Sequence, residues 1–271
     1  MTIDVEEWFH ICGCGPTLAP DRWPHLTSRV VDTTTRLLDM LDRTGTCATF
    51  FVLGYVAERH PELIRRIADA GHEIGSHGHI HARVYELTPE SFSIDLDKSI
   101  AALAGCGISK VRGFRAPEWS INDKSLWALD VLAEKGFQFD SSMAPMRIVG
   151  NPDYPQAPHW RSTRAGAIAE FPPAVTRRMG QRMPFGGGWG LRMSRPRSVL
   201  REIERRTRAG LASVLWVHPW EIDPDPPRIT LPAAKKFAHY FCLDGFAKRL
   251  EAILRDGHFG TMGAHLQDVR P

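Results

Sequence analysis

The feature that most constrains the fold is a repeated alternation of short apolar runs with longer amphipathic segments. The runs "TIDV" (2–5) and "CATFFVL" (47–53) have the β-branched and aromatic content of buried strands. "ELIRRIADAG" (62–71) has helical periodicity and ends in glycine, and Thr88-Pro89 is typical of a capped helix start. Because no block of the chain is all strand or all helix, the alternation predicts an α/β fold with a largely parallel sheet.

The number of strand–helix units sharpens this prediction. About seven units occur in 271 residues, which favours a barrel-like wrap, although an open sheet would have the same periodicity. We therefore predict one domain over residues 1–271, folded as a distorted (β/α)7-type barrel. Two Gly/Pro-rich stretches, 143–166 and 173–194, interrupt the rhythm and are predicted to be long loops, which are usually functional or disordered.

Composition excludes several classes of partner. The 34 Lys and Arg residues nearly balance the 31 Asp and Glu residues, so no nucleic-acid partner is expected. No apolar run is long enough to span a membrane, and no basic-then-apolar leader opens the sequence. The five cysteines form no paired metal or disulfide pattern. We expect a reduced, cytoplasmic protein, or one whose leader has been removed, and the sequence indicates no oligomeric state.

Two carboxylates lie on one face of the first predicted strand. Alternation along "DVEE" places Asp4 and Glu6 on one side and Glu7 on the other. Burying such charges without partners would cost about several kcal/mol. The two carboxylates therefore indicate either a functional site or a strand end already in water.

Three histidines follow the predicted strand "EIGS" at every second position. His77 and His81 would share one face of a helical turn and could hold one metal ion, whereas an extended segment would align His79 with them. The spacing at the end of a strand favours the pair His77 and His81, with His79 as a bystander. Two imidazoles and one carboxylate would leave positions open for water and substrate, as in catalytic zinc sites.

Three further polar side chains follow predicted strands. Arg115, in "RAPEW", could orient a carboxylate by a forked hydrogen bond, or could belong to a surface turn. Asp140 ends the strand before "SS". His218 ends the strand "VLWV" and is a candidate general acid if it shares a rim with a metal and an aspartate.

The order of these motifs resembles the polysaccharide deacetylases with a NodB-type homology domain (carbohydrate esterase family 4). "RGFRAPEWSI", "FDSSMAP" and "VHPWEID" resemble the branch associated with bacterial exopolysaccharide and exosortase clusters. The resemblance spans roughly residues 2–265. It implies a distorted barrel, one divalent metal that is usually Zn²⁺, and hydrolysis of N-acetyl groups on amino sugars of a polysaccharide or its oligosaccharide precursor.

The resemblance also implies roles for individual residues. Asp4 matches the catalytic base, Arg115 the arginine that orients it, and His218 the general acid. Asp140 is expected to steer His218. The expected metal ligands are His77, His81 and a carboxylate near Asp4.

The first motif departs from the family pattern. Many members have a second aspartate as metal ligand where this chain has Val5. Glu6 is the candidate third ligand because it shares the face of Asp4, and Glu7 is the alternative.

Aromatic residues near the motifs are candidates for substrate binding. Trp189 lies in the glycine-rich segment "MPFGGGWGLRM" and could stack on a sugar ring, or pack as an ordinary buried indole. Trp119 and Pro117 are expected to contact substrate from the "RAPEW" turn.

Two other functions fit the same residues. One is hydrolysis of another amide or cyclic imide on the same barrel, and the other is non-catalytic glycan binding. A base, its orienting arginine and an acid argue against a binding module.

Overall fold

A computed structural model describes residues 1–178 and 180–269. For Thr17 and Arg178 it describes the backbone alone. Its strands are β1 Thr2–Val5, β2 Thr49–Val52, β3 Glu73–Ser76, β4 Gly113–Phe114, β5 Phe139–Asp140, β6 His159–Thr163, β7 Gly166–Glu170, β8 Val175–Arg178, β9 Gln181–Pro184 and β10 Trp216–Val217. Its α-helices are α1 Val30–Arg43, α2 Gly54–Arg59, α3 Pro61–Asp69, α4 Pro89–Gly105, α5 Trp127–Glu134, α6 Gly188–Arg192, α7 Pro196–Arg208, α8 Ala233–Tyr240 and α9 Phe246–Asp256.

Eight strands form one curled sheet in the order β10-β1-β2-β3-β4-β5-β7-β6. Every pair along the sheet is parallel except the hairpin of β6 and β7. Two isolated parallel bridges, Pro173–Val214 and Gly187–Trp216, connect the segments after β7 to the region of β10. A side chain on Gly187 would clash with Trp216, so glycine permits this close approach. The predicted α/β fold with a barrel-like, curled sheet is confirmed.

Strand alternation separates the outer core from the barrel interior. Ile3, Val5, Phe50 and Val52 belong to the main apolar cluster, which also contains side chains of α1, α3 and α9. The alternate side chains Thr2, Asp4 and Phe51 face inward, where Arg115 contacts all three. The period of two therefore buries one face against helices and leaves the other to build a site.

The stretches predicted as long loops are only partly irregular. The first contains β6, and the second contains the hairpin of β8 and β9 followed by α6. The hairpin was missed because "VTRR" and "QRMP" are rich in polar residues and lack apolar alternation, so backbone pairing rather than side-chain burial defines these strands.

None of the helices within the described ranges has the length and apolar character needed to cross a membrane.

Candidate active site

A cavity of about 270 Å³ opens at the ends of the parallel strands. Side chains from the first strand, the histidine segment, the "RAPEW" turn and the segment after β10 all line it. The charged residues and histidines that line it are Asp4, Glu6, His10, His77, His81, Arg115, Glu118, Arg192, His218, Glu221, Lys235 and His239. Carboxyl ends of parallel strands are where α/β folds place their sites.

Glu6, His77 and His81 form a compact group at the base of the cavity. Their potential ligand atoms all lie within 4.8 Å of one another, and all three residues are buried. Glu6 Oε2 is 2.7 Å from His81 Nε2 and 3.9 Å from His77 Nε2. The three predicted ligands thus converge on one point.

The opposite atom of each of these side chains has its own partner. His77 Nδ1 is 2.7 Å from the carbonyl oxygen of Arg115, and His81 Nδ1 is 3.3 Å from Cys12 Sγ. Trp220 donates its indole N–H to Glu6 Oε1 at 3.1 Å. Such partners fix ring orientation and leave Nε2 and Oε2 to face a shared ion. Burial lowers the pKa of His77 to about 4, so its imidazole is neutral, as metal binding requires.

Backbone strain positions this segment. His81 has a φ of 53°, and Gly78 has a φ of 78°. Non-glycine residues rarely adopt this left-handed region outside over-determined sites. Asp95 accepts hydrogen bonds from the backbone N–H groups of His79 and Ile80, which holds the turn. The side chain of His79 turns away and lies 3.9 Å from Glu58, consistent with the bystander interpretation.

Glu7 lies on the far side of the first strand from the histidines. It accepts a hydrogen bond from the backbone N–H of Arg29 at 2.9 Å and another from Ser28 Oγ, at the start of α1. A carboxylate there satisfies free N–H groups and complements the helix dipole. Burial raises the pKa of Glu7. Of the two candidate carboxylates, the structure brings Glu6 to the histidines.

Arg115 and Asp4 form a buried ion pair across the barrel interior. Arg115 Nη1 donates to Asp4 Oδ1 at 2.7 Å and to Thr2 Oγ1 at 2.8 Å. Arg115 Nη2 donates to Ser141 Oγ at 2.9 Å, and the guanidinium stacks over Phe51. The arginine is thus held on several sides, and Asp4 is held by it.

His218 faces Asp4 and Glu6 from the other wall. Its Nε2 lies 3.9 Å from Asp4 Oδ2 and 3.7 Å from Glu6 Oε1, and its Nδ1 lies 3.1 Å from Glu221 Oε2. Glu221 is fully buried and lies 3.1 Å from Arg192 Nε, which is also buried. Burial alone would lower the pKa of His218, but the negative charges of Glu6 and Glu221 raise it to about 9.

Asp140 does not take the place that the sequence predicted. The carboxylate against His218 is Glu221, whereas Asp140 accepts a hydrogen bond from Ser142 Oγ at 2.5 Å. Asp140 also pairs with Glu170 across β5 and β7, where both are buried. Burial and the nearby Asp140 raise the pKa of Glu170 well above its usual value, so the two carboxyls share a proton. The "DSS" motif instead supports Arg115, through Ser141.

Aromatic side chains form the upper walls of the cavity. Trp119 and Trp189 both line it, as does Trp216, whose ring packs edge-on against Trp119 with centroids 4.4 Å apart. Pro117 is buried in the turn and is not among the lining residues, so its predicted substrate contact is not what the geometry supports. Its fixed φ shapes the turn that carries Trp119.

The site also contains residues that were not predicted, among them Cys12, Arg192, Trp220 and Glu221. Glu221 and Trp220 follow His218 directly in "HPWEID", so their proximity along the chain was the available indication. Arg192 and Cys12 lie far from their partners in sequence, and only the fold brings them close.

Comparison with known proteins gives two adjacent matches along the chain. Residues 21–139 match the family described as "Polysaccharide deacetylase", and residues 141–267 match a domain of unknown function (DUF3473). The first match includes His77, His81 and Arg115 but begins after Asp4 and Glu6, and His218 lies in the second.

Curated relatives cover part of the chain. A peptidoglycan deacetylase-like protein of Gibberella zeae is 34% identical over 111 residues, which are 40% of this chain and 32% of that protein. A chitooligosaccharide deacetylase of Bradyrhizobium is 35% identical over 98 residues, which are 36% of this chain and 42% of that protein. The chain therefore spans less than half the length of either relative.

Solved structures match over the full length of the chain. A polysaccharide deacetylase-type protein of Mycobacterium smegmatis aligns with a TM-score of 0.62 and 25% identity, covering 100% of this chain and 91% of that one. Residues 21–139 thus match the polysaccharide deacetylase family by sequence, and this solved structure shares the fold over the length of the chain.

Proposed function

We propose that the protein is a metal-dependent carbohydrate de-N-acetylase. One observation carries the proposal: Asp4, fixed by Arg115, and His218, fixed by Glu221, line the same cavity as the Glu6, His77 and His81 group. A base and an acid flanking a metal site are what hydrolysis of an amide requires.

The donor set fits a divalent metal, with Zn²⁺ the favoured ion. Two imidazoles and one carboxylate converge, and both Nδ1 atoms have other partners. When bound, such a metal lowers the pKa of a coordinated water and polarises the amide carbonyl.

The protein's own residues supply the proton transfers. Asp4 accepts the proton of the attacking water, and Arg115 keeps its carboxylate in position. Glu221, which lies 3.1 Å from Nδ1, favours the protonated form of His218, and His218 donates its Nε2 proton to the departing amine nitrogen. Acetate and a free amino sugar are the products.

The substrate class follows from the relatives and the cavity walls. Two of the curated relatives are named as a peptidoglycan deacetylase-like protein and a chitooligosaccharide deacetylase. Trp119 and Trp189 offer flat apolar faces on which a sugar ring can stack. We propose an amino sugar of a bacterial polysaccharide, or its oligosaccharide precursor, as substrate. Exopolysaccharide biosynthesis and a cytoplasmic location stay predictions of the sequence.

An acetate-release screen tests this function. Metal-reconstituted protein is incubated with N-acetylated chitooligosaccharides and peptidoglycan fragments, before and after removal of metal with a chelator. We expect acetate from at least one glycan and its loss with metal removal. Turnover of small cyclic imides without acetate release would support the alternative hydrolase. Glycan binding that survives metal removal, with no acetate from any substrate, would support the non-catalytic alternative.

A further inference from the structure

An exposed aromatic surface lies on α6 and α8, outside the catalytic group. We call it the α6–α8 surface and define it by Trp189, Met193, Phe237 and Phe241. The rings of Phe237 and Phe241 stack with centroids 4.4 Å apart, and those of Trp189 and Phe237 are 6.0 Å apart. Met193 follows Trp189 by one helical turn, with its N–H bonded to the Trp189 carbonyl. Met193, Phe237 and Phe241 are 51%, 43% and 40% exposed.

This surface is continuous with the mouth of the cavity. Trp189 belongs to both, and Ile148, which is 65% exposed, also lines the cavity. Clustered exposed apolar side chains of this kind mark interaction sites, because their hydration is unfavourable. Whatever covers the surface therefore lies beside the entrance that a substrate uses.

The charge around the surface indicates an anionic partner. Residues 189–198 and 233–243 contain no Asp or Glu and five Lys or Arg residues, of which Arg192 is buried against Glu221. Arg195, Arg197 and Lys236 among them are exposed. Methionine and phenylalanine side chains carry no hydrogen-bond donor for sugar hydroxyls, so they suit hydrocarbon better than a glycan. Aromatic residues flanked by Lys and Arg are typical of segments that lie in the headgroup region of a bilayer.

We propose that the α6–α8 surface docks on an anionic phospholipid bilayer, which brings the cavity to a glycan carried on a lipid. The identity of the lipid-carried glycan rests on the proposed function, whereas the docking itself does not. The contact is peripheral: Phe237, Phe241 and Met193 enter the headgroup boundary, and the exposed side chains of Arg195, Arg197 and Lys236 meet the lipid phosphates.

Vesicle co-sedimentation of the full chain tests the docking. Vesicles of phosphatidylcholine are compared with vesicles that also contain phosphatidylglycerol. We expect binding to the anionic vesicles and a drop of about fivefold or more for Lys236→Glu and for the double variant Met193→Ser/Phe241→Ser. Ile94→Ser is the matched control, because Ile94 is 57% exposed on α4 and does not line the cavity. Circular dichroism verifies that each variant is folded.

Several outcomes would overturn the docking. These are no binding by the unchanged protein, equal binding to neutral vesicles, unaltered binding by the surface variants, or an equal loss for Ile94→Ser. A vesicle-independent change from dimer to monomer in the double variant, seen by analytical ultracentrifugation, would show a self-association surface instead. Acetate release is measured in parallel across the soluble N-acetylated chitooligosaccharides and peptidoglycan fragments of the functional screen. Vesicle binding without acetate release would refute the proposed function alone, and acetate release without vesicle binding would refute the docking alone.

Discussion

Two buried arginines flank the candidate active site, and each fixes one carboxylate in a different way. Arg115 binds Asp4 directly beside the metal-binding group, and side chains from β1 and the "DSS" segment complete its shell. Arg192 binds Glu221, which reaches the site only through His218, and backbone carbonyls of Ala238 and His239 complete its shell.

The difference separates a direct role from an indirect one. In the first pair the carboxylate itself faces the cavity as the proposed base. In the second pair the carboxylate of Glu221 holds Nδ1 of His218, and Nε2 of this histidine faces the cavity. Loss of Asp4 should therefore remove a reacting group, whereas loss of Glu221 should alter the orientation and the pKa of one.

The largest expected effect is from Asp4→Asn. The amide keeps the shape of the side chain but cannot accept the proton of water, so kcat for acetate release should fall about 10²–10⁴-fold. Metal content, measured by mass spectrometry, should stay near that of the unchanged protein. A variant with more than a tenth of the original kcat would exclude Asp4 as the base.

The role of Glu6 as a metal ligand can be tested against that of its neighbour Glu7. Glu6→Gln should weaken metal binding about 100-fold, because it removes the charged ligand and its contact with both histidines. Glu7→Gln is the matched control and should retain metal, with unfolding free energy lower by about 0.5–1 kcal/mol from the weakened contact with α1. Titration calorimetry and urea unfolding measure both effects, and metal loss in Glu7→Gln alone would reverse the assignment.

A smaller effect with a distinct pH signature is expected from Glu221→Gln. Without the nearby negative charge, the pKa of His218 should fall from about 9, so the acid form is lost at a lower pH. The alkaline limb of the kcat–pH profile should therefore shift to lower pH, and kcat at pH 7 should drop about tenfold. Arg192→Gln should shift the alkaline limb less than Glu221→Gln does, because the carboxylate of Glu221 remains. A uniform loss of activity with an unshifted limb would indicate a purely structural role for Glu221.

The smallest effect concerns stability, at the Asp140–Glu170 pair. The pKa of Glu170 is raised in the folded protein, so its protonated form stabilises the fold at low pH, and this contribution is lost as pH rises through the raised pKa. Glu170→Gln keeps an uncharged partner for Asp140, so the Tm of this variant should fall less between about pH 5 and pH 8 than the Tm of the unchanged protein. Calorimetric Tm values across that range measure the slope, and equal slopes for both proteins would mean that the pair does not share a proton.

The sequence was most informative where the relevant contacts are local. Alternation placed Asp4 and Glu6 on one face and Glu7 on the other, and the short spacing of His77 and His81 favoured one site. The structure brings Asp4, Glu6 and the two histidines together with Arg115 and His218. Their catalytic roles stay proposals, but their convergence follows from the rule that parallel strands present their carboxyl ends at one edge.

The sequence failed where the answer depends on which strand ends face each other. Asp140 and Glu221 both follow strands, so local pattern could not choose between them as the partner of His218. Curling of the sheet pairs β5 with β7 and thereby buries Asp140 against Glu170, while Glu221 lies one turn beyond His218. The β8–β9 hairpin was likewise not predicted from the sequence, because backbone hydrogen bonds define it and no apolar periodicity accompanies it.

The amino-acid sequence by itself determined the α/β class, the inward face of the first strand and the histidine pair, since all three depend on periodicity within a few residues. Only the tertiary structure decided that Glu6 meets the histidines, that Arg192 and Glu221 support His218, and that an aromatic, basic surface borders the cavity. These features join residues about 30 to 75 positions apart along the chain, and such contacts are fixed by how the sheet curls and the core packs.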